Sequence, residues 1–266
     1  MLVAAAVCPH PPLLIPAAMG AAGRGDAGLS DVGPDTVVPA DAELREVRAG
    51  SVAAVAGLLA AGPDLLIVVG GAAQSAVYAG HVTGSLRPFG IPAAAGSAES
   101  GGPALPLSLT VGAWLLDKAE EKRARGAGQP ATDRPPAEFR AVASGLPPAD
   151  CLRLGTELAG LAPRVALLAM GAASARKAAG VHGAADPAAE RYDAEVAAAL
   201  AAADPAALAA LDPALDDELM IAGRAAWQVL AGAAAGVSLL GRLRCAAAPY
   251  DVSYLVASWD SAALAD

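Results

Sequence analysis

Aromatic side chains are scarce in this chain, since Phe, Tyr and Trp make up only 3% of its 266 residues. A surface that stacks the bases of single-stranded nucleic acid is therefore not expected. Basic side chains are also in the minority: 18 Lys and Arg stand against 27 Asp and Glu, and the formal net charge is −9. This charge repels polyanions and anionic membrane surfaces. We expect neither nucleic acid nor a membrane among the partners of this protein.

Cysteine and histidine are rare too, with 3 residues of each. The cysteines stand far apart and form no Cys-x-x-Cys pair, which argues against a disulfide framework and a zinc ribbon. The N-terminus lacks the basic region of a signal peptide. The apolar, uncharged span 225–241 is shorter than the roughly 20 residues that a membrane helix needs. We therefore predict a soluble, cytoplasmic protein.

Strand and helix patterns alternate along the whole sequence. Three unbroken apolar runs, Leu2–Val7, Leu65–Val69 and Val165–Met170, are typical of strands buried on both faces of a sheet. Helices are predicted at 41–60, 111–125, 152–161, 188–202, 205–211 and 214–235, and further strands at 76–89, 139–144, 238–245 and 252–258. This alternation predicts a single α/β domain over 1–266, with a central, largely parallel or mixed sheet and helices on both faces. We expect the three apolar runs to be neighbouring central strands whose C-terminal ends share one edge.

One imidazole, that of His10, stands where the first predicted strand ends. Three prolines at positions 9, 11 and 12 stop ladder pairing and keep the chain stiff and extended. Ligands of open α/β sheets bind at the carboxyl ends of the strands, so His10 stands where chemistry is usually placed. If the chain stays extended, Cys8 shares its face. A half-buried structural histidine is the alternative interpretation.

Three segments carry a resemblance to a known family. Residues 8–16, which read CPHPPLLIP, resemble the opening of the class III extradiol dioxygenases, the iron-bearing B-subunit type. Residues 248–259, APYDVSYLVASW, resemble the closing strand of that superfamily, and residues 186–193, DPAAERYD, resemble the segment after its catalytic loop. The matches lie in the right order along the chain. The resemblance implies that family's fold and the cleavage of catechol rings by Fe(II).

The same resemblance implies a set of iron-site residues, most of which are missing. The family holds Fe(II) with two histidines and one carboxylate and uses a further histidine as acid and base. His10 matches the first ligand. The other three positions fall near Gly70–Ala72, at Ser174 and at Ile221, where no histidine or carboxylate stands. We expect His10 to lie at a pocket formed by Cys8, Gly70, Gly71, Ala72, Ser174 and Ile221.

Two functions remain open at this point. The leading hypothesis is an extradiol-dioxygenase-like protein whose iron site is mostly lost, which binds no cofactor and acts as a binding or structural protein, with a small aromatic molecule as a candidate ligand. The alternative is an active Fe(II) ring-cleavage dioxygenase, or another oxidoreductase, with rewired ligands. In that case His10 binds the metal, His182 is the candidate catalytic residue, and Asp186 stands near it in sequence. Self-association into a homo-oligomer is an open alternative as well.

Overall fold

The computed structural model describes residues 1–18, 39–78, 82–96, 104–127, 135–175 and 186–261. Its strands are β1 (Leu2–Cys8), β2 (Leu65–Ala72), β3 (Ala76–Tyr78), β4 (Thr83–Ser85), β5 (Ala94–Gly96), β6 (Ala137–Ala143), β7 (Val165–Met170), β8 (Leu239–Ala247) and β9 (Tyr254–Ser261). Its helices are α1 (Pro39–Ala60), α2 (Leu107–Ala127), α3 (Pro148–Ala159), α4 (Pro187–Ala202), α5 (Pro205–Ala209), α6 (Leu215–Glu218) and α7 (Arg224–Ala234).

Seven of these strands form one mixed sheet in the order β3-β6-β2-β7-β1-β9-β8. The strands β6, β2, β7 and β1 run parallel, whereas β9 is antiparallel to β1, β8 is antiparallel to β9, and β3 is antiparallel to β6. The three apolar runs of the sequence are therefore the central neighbours β2, β7 and β1, as predicted. The two late strands predicted at 238–245 and 252–258 are β8 and β9, and they pair with one another as the sequence order suggests.

Helices cover both faces of this sheet, as the sequence predicts. Along β1, Ala4, Ala6 and Cys8 belong to the apolar cluster that includes α1 and α2, while Ala5 and Val7 belong to the cluster that includes α3, α4 and α7. This alternation is the two-residue repeat of a strand that is buried on both sides. Among the described residues, no helix combines the length and the apolar character needed to cross a membrane.

Two glycines bring the helices α3 and α7 into backbone contact. A Cβ atom at Gly155 would lie 2.0 Å from the carbonyl oxygen of Val229, and one at Gly232 would lie 2.0 Å from that of Leu152. Any larger residue would push the helices apart. This close approach fixes the position of α7, whose first residues lie at the carboxyl ends of the central strands.

The two edge strands of the large sheet differ in length and in side chains. The strand β3 has 3 residues. The strand β8 has 9, with burial that alternates along its length, and its exposed side chains include those of Arg242 and Arg244. Arg244 donates through Nε to Oγ of Ser258 on the neighbouring strand, at 2.9 Å.

The structure corrects the sequence prediction in two places. The predicted helix 214–235 is two helices, α6 and α7, because residues 219–223 leave helical geometry and Met220 adopts a left-handed φ of 52°. The strand β5 lies inside the segment 90–103, which its Pro, Gly and Ser residues predict to be a loop, and it pairs with β4 across a turn in which Gly90 has a φ of 73°. The strand β5 consists of two alanines and one glycine, which have a low strand propensity, so the sequence pattern does not predict it. The Gly-, Asp- and Pro-rich segment 20–39 is also predicted as a surface loop from its composition; residues 20–38 of it lie outside the described residues, and Pro39 begins α1.

Candidate functional site

The carboxyl ends of the central strands meet at one edge of the sheet. Cys8 of β1 and Gly70 of β2 both pair with Met170 of β7, so the three strands end side by side. The amide of Gly171 donates to the carbonyl of Cys8 at 3.0 Å. The amide of Ser144, just after β6, donates to the carbonyl of Ala72 at 3.0 Å. We call residues 8–10, 70–72, 143–144 and 170–174 the carboxyl edge.

His10 is the one histidine among the described residues, and it stands on this edge. Its Nδ1 atom is shielded from solvent and has no hydrogen-bond partner in the described part of the chain. Burial lowers the pKa of the imidazole to about 4, so the ring is uncharged at neutral pH. An unpaired buried nitrogen costs roughly 1–3 kcal/mol unless another group satisfies it.

The chain after His10 is held in place from α1. Residues Pro12–Leu14 form a single 3-10 turn. The guanidinium of Arg48 donates to the carbonyl of Leu13 at 3.2 Å and also to the carbonyl of Leu14. These bonds and the three prolines restrain the backbone that carries the imidazole.

Cys8 lies in the layer between the sheet and α1. Its side chain is fully buried, and its Sγ atom is 3.9 Å from the carbonyl oxygen of Ser51. Burial raises the pKa of the thiol to about 12. Since the thiolate is the form that attacks electrophiles and binds metals, Cys8 is an inert packing residue at neutral pH.

The glycines that follow β2 serve close packing. A Cβ atom at Gly70 would lie 2.5 Å from Oγ of Ser108, near the start of α2, and that hydroxyl donates to the carbonyl of Gly71 at 2.8 Å. A Cβ atom at Gly71 would lie 3.3 Å from the carbonyl oxygen of Ala222. Gly70 therefore leaves no room for a side chain, and a side chain at Gly71 needs its neighbour to move.

Ser174 is tied to the neighbouring helix and strand. Its hydroxyl donates to Oδ2 of Asp193 on α4 at 2.7 Å, and its amide donates to Oδ1 at 3.0 Å. Its carbonyl accepts from the amide of Ser253 at 2.9 Å. Ser174 and Asp193 are both buried. This serine therefore joins the exit of β7 to α4 and to the start of β9, and its hydroxyl is already bonded.

Ile221 belongs to the segment that breaks the predicted helix. Its side chain is buried in the apolar cluster on the α3, α4 and α7 side of the sheet. The amide of the next residue, Ala222, donates to the carbonyl of Ala172 at 3.2 Å, and the amide of Ala175 donates to the carbonyl of Leu219 at the same distance. The segment thus lies against the exit of β7. An apolar side chain stands where the resemblance implies a carboxylate.

Arg224 anchors a buried polar cluster that the sequence analysis missed. Its side chain donates to Oδ2 of Asp216 at 2.5 Å, to Oε1 of Gln228 at 2.7 Å, and to the carbonyls of Ser144 at 2.5 Å and Leu146 at 3.2 Å. Burial raises the pKa of Asp216, and the guanidinium opposes that shift. The sequence does carry one signal for this cluster: an arginine and a glutamine stand four residues apart in a helix that has no other charged residue.

The alternative catalytic residues are only partly described. His182 lies outside the described residues, so the prediction that it is catalytic stays a prediction. Asp186 caps α4, because its Oδ1 atom accepts from the amide of Ala188 at 2.9 Å. Glu190 is exposed on the same helix.

The described residues do not fit the implied iron site. A facial triad requires two imidazoles and one carboxylate around Fe(II). Within the described ranges, no three His, Cys, Asp or Glu side chains are grouped so that they could hold a metal ion. The other residues of the carboxyl edge described above are small, apolar or already bonded.

Comparisons with known proteins bear on the fold. No family model and no curated protein matches this sequence. The crystal structure of the uncharacterized protein JW3007 from Escherichia coli K12 is similar, with a TM-score of 0.50 and 16% sequence identity. The similarity covers 96% of this chain and 99% of that one. The two chains share a fold. At this identity the similarity carries no information on activity.

Proposed function

We propose that this protein has the class III extradiol dioxygenase-like fold that its sequence resembles and acts as a non-catalytic binding protein. Its ligand is a small aromatic molecule that binds at the carboxyl edge. The observation that carries the proposal is the state of His10: one uncharged imidazole, with an unpaired and buried Nδ1, at the edge where the family it resembles needs three histidines and one carboxylate.

The imidazole supports a ligand that carries a hydroxyl group. A neutral imidazole offers one donor and one acceptor nitrogen. A phenolic hydroxyl both donates and accepts, so it satisfies Nδ1 in either tautomer. A ligand that displaces the groups covering Nδ1 recovers the cost of the unpaired nitrogen, roughly 1–3 kcal/mol. Catechols and simple phenols are therefore the class of probe to use first.

The donor set argues against tight iron binding. A divalent ion held by one neutral ligand keeps most of its water shell, and no carboxylate at the described edge offsets the cost of desolvating a dication. The histidine expected near Ser174 is also missing, and without such an acid and base the deprotonation of a catechol slows by roughly 10² to 10⁴.

The test measures iron content and catechol chemistry on the same preparation. The full chain is purified without chelator, supplied with Fe(II) under reducing conditions, desalted and analysed for metal. It is then mixed with a panel of catechols, and thermal shift is recorded in parallel. We expect iron well below one atom per chain, no yellow ring-cleavage product, and a thermal shift with at least one phenol or catechol.

Two variants of His10 serve as controls. His10→Ala removes the polar group, and we expect it to abolish the thermal shift while leaving the iron content unchanged. His10→Asn keeps a hydrogen-bonding group and should retain part of the shift. Stoichiometric iron together with ring cleavage, both lost in His10→Ala, would overturn the proposal in favour of the alternative, an active Fe(II) enzyme that uses His10.

A further inference from the structure

A large pocket lies away from the carboxyl edge, between α1, α2 and the chain that follows the Pro12–Leu14 turn. Its volume is about 830 Å³, within the range of roughly 300–1,000 Å³ that is typical of small-molecule sites. Its apolar lining includes Ile15, Val52 and Trp114. Trp114 is 7% exposed, so its ring is a fixed part of the wall.

The mouth of this pocket is basic. Arg48, Lys118, Lys122 and Arg125 line it together with a single carboxylate, that of Glu121. This excess of positive charge occurs on a chain whose net charge is −9. The side chains that line the pocket are therefore net positive although the chain as a whole is net negative. This local positive charge favours the binding of anions.

Helical spacing orders the apolar and basic parts along one stripe of α2. Positions 114, 118, 122 and 125 follow each other at intervals of four, four and three residues, and position 121 lies three residues after 118 and four before 125, which places all five on one face. Trp114 thus stands at the apolar end of the stripe and Arg125 at its basic end. A ligand with an apolar body and an anionic head matches this order.

The acidic partner in this pocket does not neutralise all of the basic side chains that line it. Nζ of Lys118 is 2.6 Å from Oε1 of Glu121, and Arg125 is 3.7 Å from the other carboxylate oxygen. Lys122 makes no ion pair or hydrogen bond with any described residue. Arg48 donates hydrogen bonds to two backbone carbonyls, so its guanidinium is already bonded and its side chain forms part of the pocket wall. Lys122 is exposed and Arg125 keeps one long ion pair and a bond to the carbonyl of Glu121, so these two lining cations remain accessible to an anionic head at the rim of the pocket.

We propose that this pocket binds a small amphipathic carboxylate, with its apolar body against Trp114, Val52 and Ile15 and its carboxylate at Lys122 and Arg125. The site is separate from the carboxyl edge and does not depend on the function proposed there. The occupant is a small molecule because the volume of about 830 Å³ lies in the range typical of small-molecule sites. We expect the head group of the ligand to carry one negative charge, because the carboxylate of Glu121 already neutralises part of the positive charge of the lining side chains.

A matched pair of probes isolates the charge of the head group. Naphthalene-1-acetate and its uncharged analogue naphthalene-1-acetamide have the same apolar body, and both are titrated into the full chain by isothermal calorimetry. We expect saturable binding of the carboxylate, weaker binding at higher salt, and a Kd at least about tenfold higher for the amide, as for the loss of a charge-assisted hydrogen bond.

The variants test the location. In Lys122→Gln/Arg125→Gln, we expect the Kd of the carboxylate to rise at least about tenfold and the Kd of the amide to stay unchanged. The control is Arg123→Gln, which removes an exposed cation of the same helix that does not line the pocket, and it should change neither value by more than about twofold. His10→Ala should also leave binding intact, which separates this site from the carboxyl edge.

Four results would overturn the proposal. The first is equal binding of the acid and the amide. The second is binding of the acid that the double variant does not weaken. The third is the absence of saturable binding of the acid. The fourth is a dimer in sedimentation velocity that the double variant abolishes, since a second copy of the chain would then be the occupant.

Discussion

The buried cation Arg224 provides the sharpest test of the polar cluster at the carboxyl edge. Its side chain is 1% exposed, and its partner Asp216 is 18% exposed, so solvent screens the pair only weakly. In Arg224→Met the apolar stem is retained and the guanidinium is lost. The carbonyls of Ser144 and Leu146 lose their donor, and so does Gln228.

We expect this substitution to cost about 3–5 kcal/mol in the free energy of unfolding, as for the removal of one partner from a buried ion pair. For a chain of this size that corresponds to a fall in Tm of about 10 °C. The measurement is urea unfolding at pH 7, followed by circular dichroism. A loss below about 1 kcal/mol would place the variant among ordinary surface substitutions and refute the reasoning.

The pH dependence gives an independent check through Asp216. Burial raises the pKa of this carboxyl, and Arg224 opposes the shift, so the pKa rises further in Arg224→Met. A carboxyl with a raised pKa in the folded state favours folding below its unfolded pKa of about 3.9 and loses that contribution as pH rises through the folded value. The deficit of the variant relative to the parent should therefore shrink between pH 7 and pH 4.5.

A double-mutant cycle with Asp216→Asn completes the test. Asparagine removes the carboxylate that Arg224→Met leaves without its cation, so the double variant should be more stable than the sum of the two single losses predicts. We expect a coupling of about 1–3 kcal/mol for residues in direct contact. Strictly additive losses would show that the two side chains do not stabilise one another.

Three further predictions concern packing and reactivity. Gly155→Ala should lower the free energy of unfolding by about 3 kcal/mol or more, because the new Cβ atom would lie 2.0 Å from a carbonyl oxygen. Gly57→Ala is the control: its Cβ atom would have no neighbour within 4 Å, so the substitution should be neutral or stabilising by up to about 1 kcal/mol. Equal losses in the two variants would contradict this reading of the helix contact. Ser174→Ala should cost about 1.5–3 kcal/mol in urea unfolding, since it removes a buried hydrogen bond to a carboxylate, and unchanged stability would exclude that role. In the native protein a thiol reagent at pH 8 should label Cys245, which is half-buried, well before Cys8, whose thiol has a pKa raised to about 12; labelling at equal rates would show that Cys8 is accessible.

The central part of the fold could be predicted because its signal is local. The strands β1, β2 and β7 are unbroken apolar runs, and a strand that is buried on both faces needs no partner information to be recognised. The division of α6 from α7 depends instead on the left-handed backbone at Met220 and on contacts with residues 172–175. Those contacts join positions far apart in the sequence.

The residues of the candidate site also differ in how far the sequence alone predicts their positions and partners. His10 could be placed from the strand and the prolines around it, whereas the partners of Arg224 and Ser174 could not. Each of those side chains bonds to groups that lie between 4 and 80 residues away along the chain. A single sequence marks such a residue only as a polar position on an apolar helix or loop.

The edges of the large sheet limit how copies of this chain can associate. An exposed edge strand is a template for pairing with another chain, and proteins resist this with short edge strands and edge charges. The strand β3 is 3 residues long, and β8 presents Arg242 and Arg244 to solvent. A second copy aligned on β8 in the antiparallel sense would bring like charges together. Growth of the sheet from chain to chain is thus disfavoured at both ends, and aggregation of the native protein through strand addition should be slow even at high concentration.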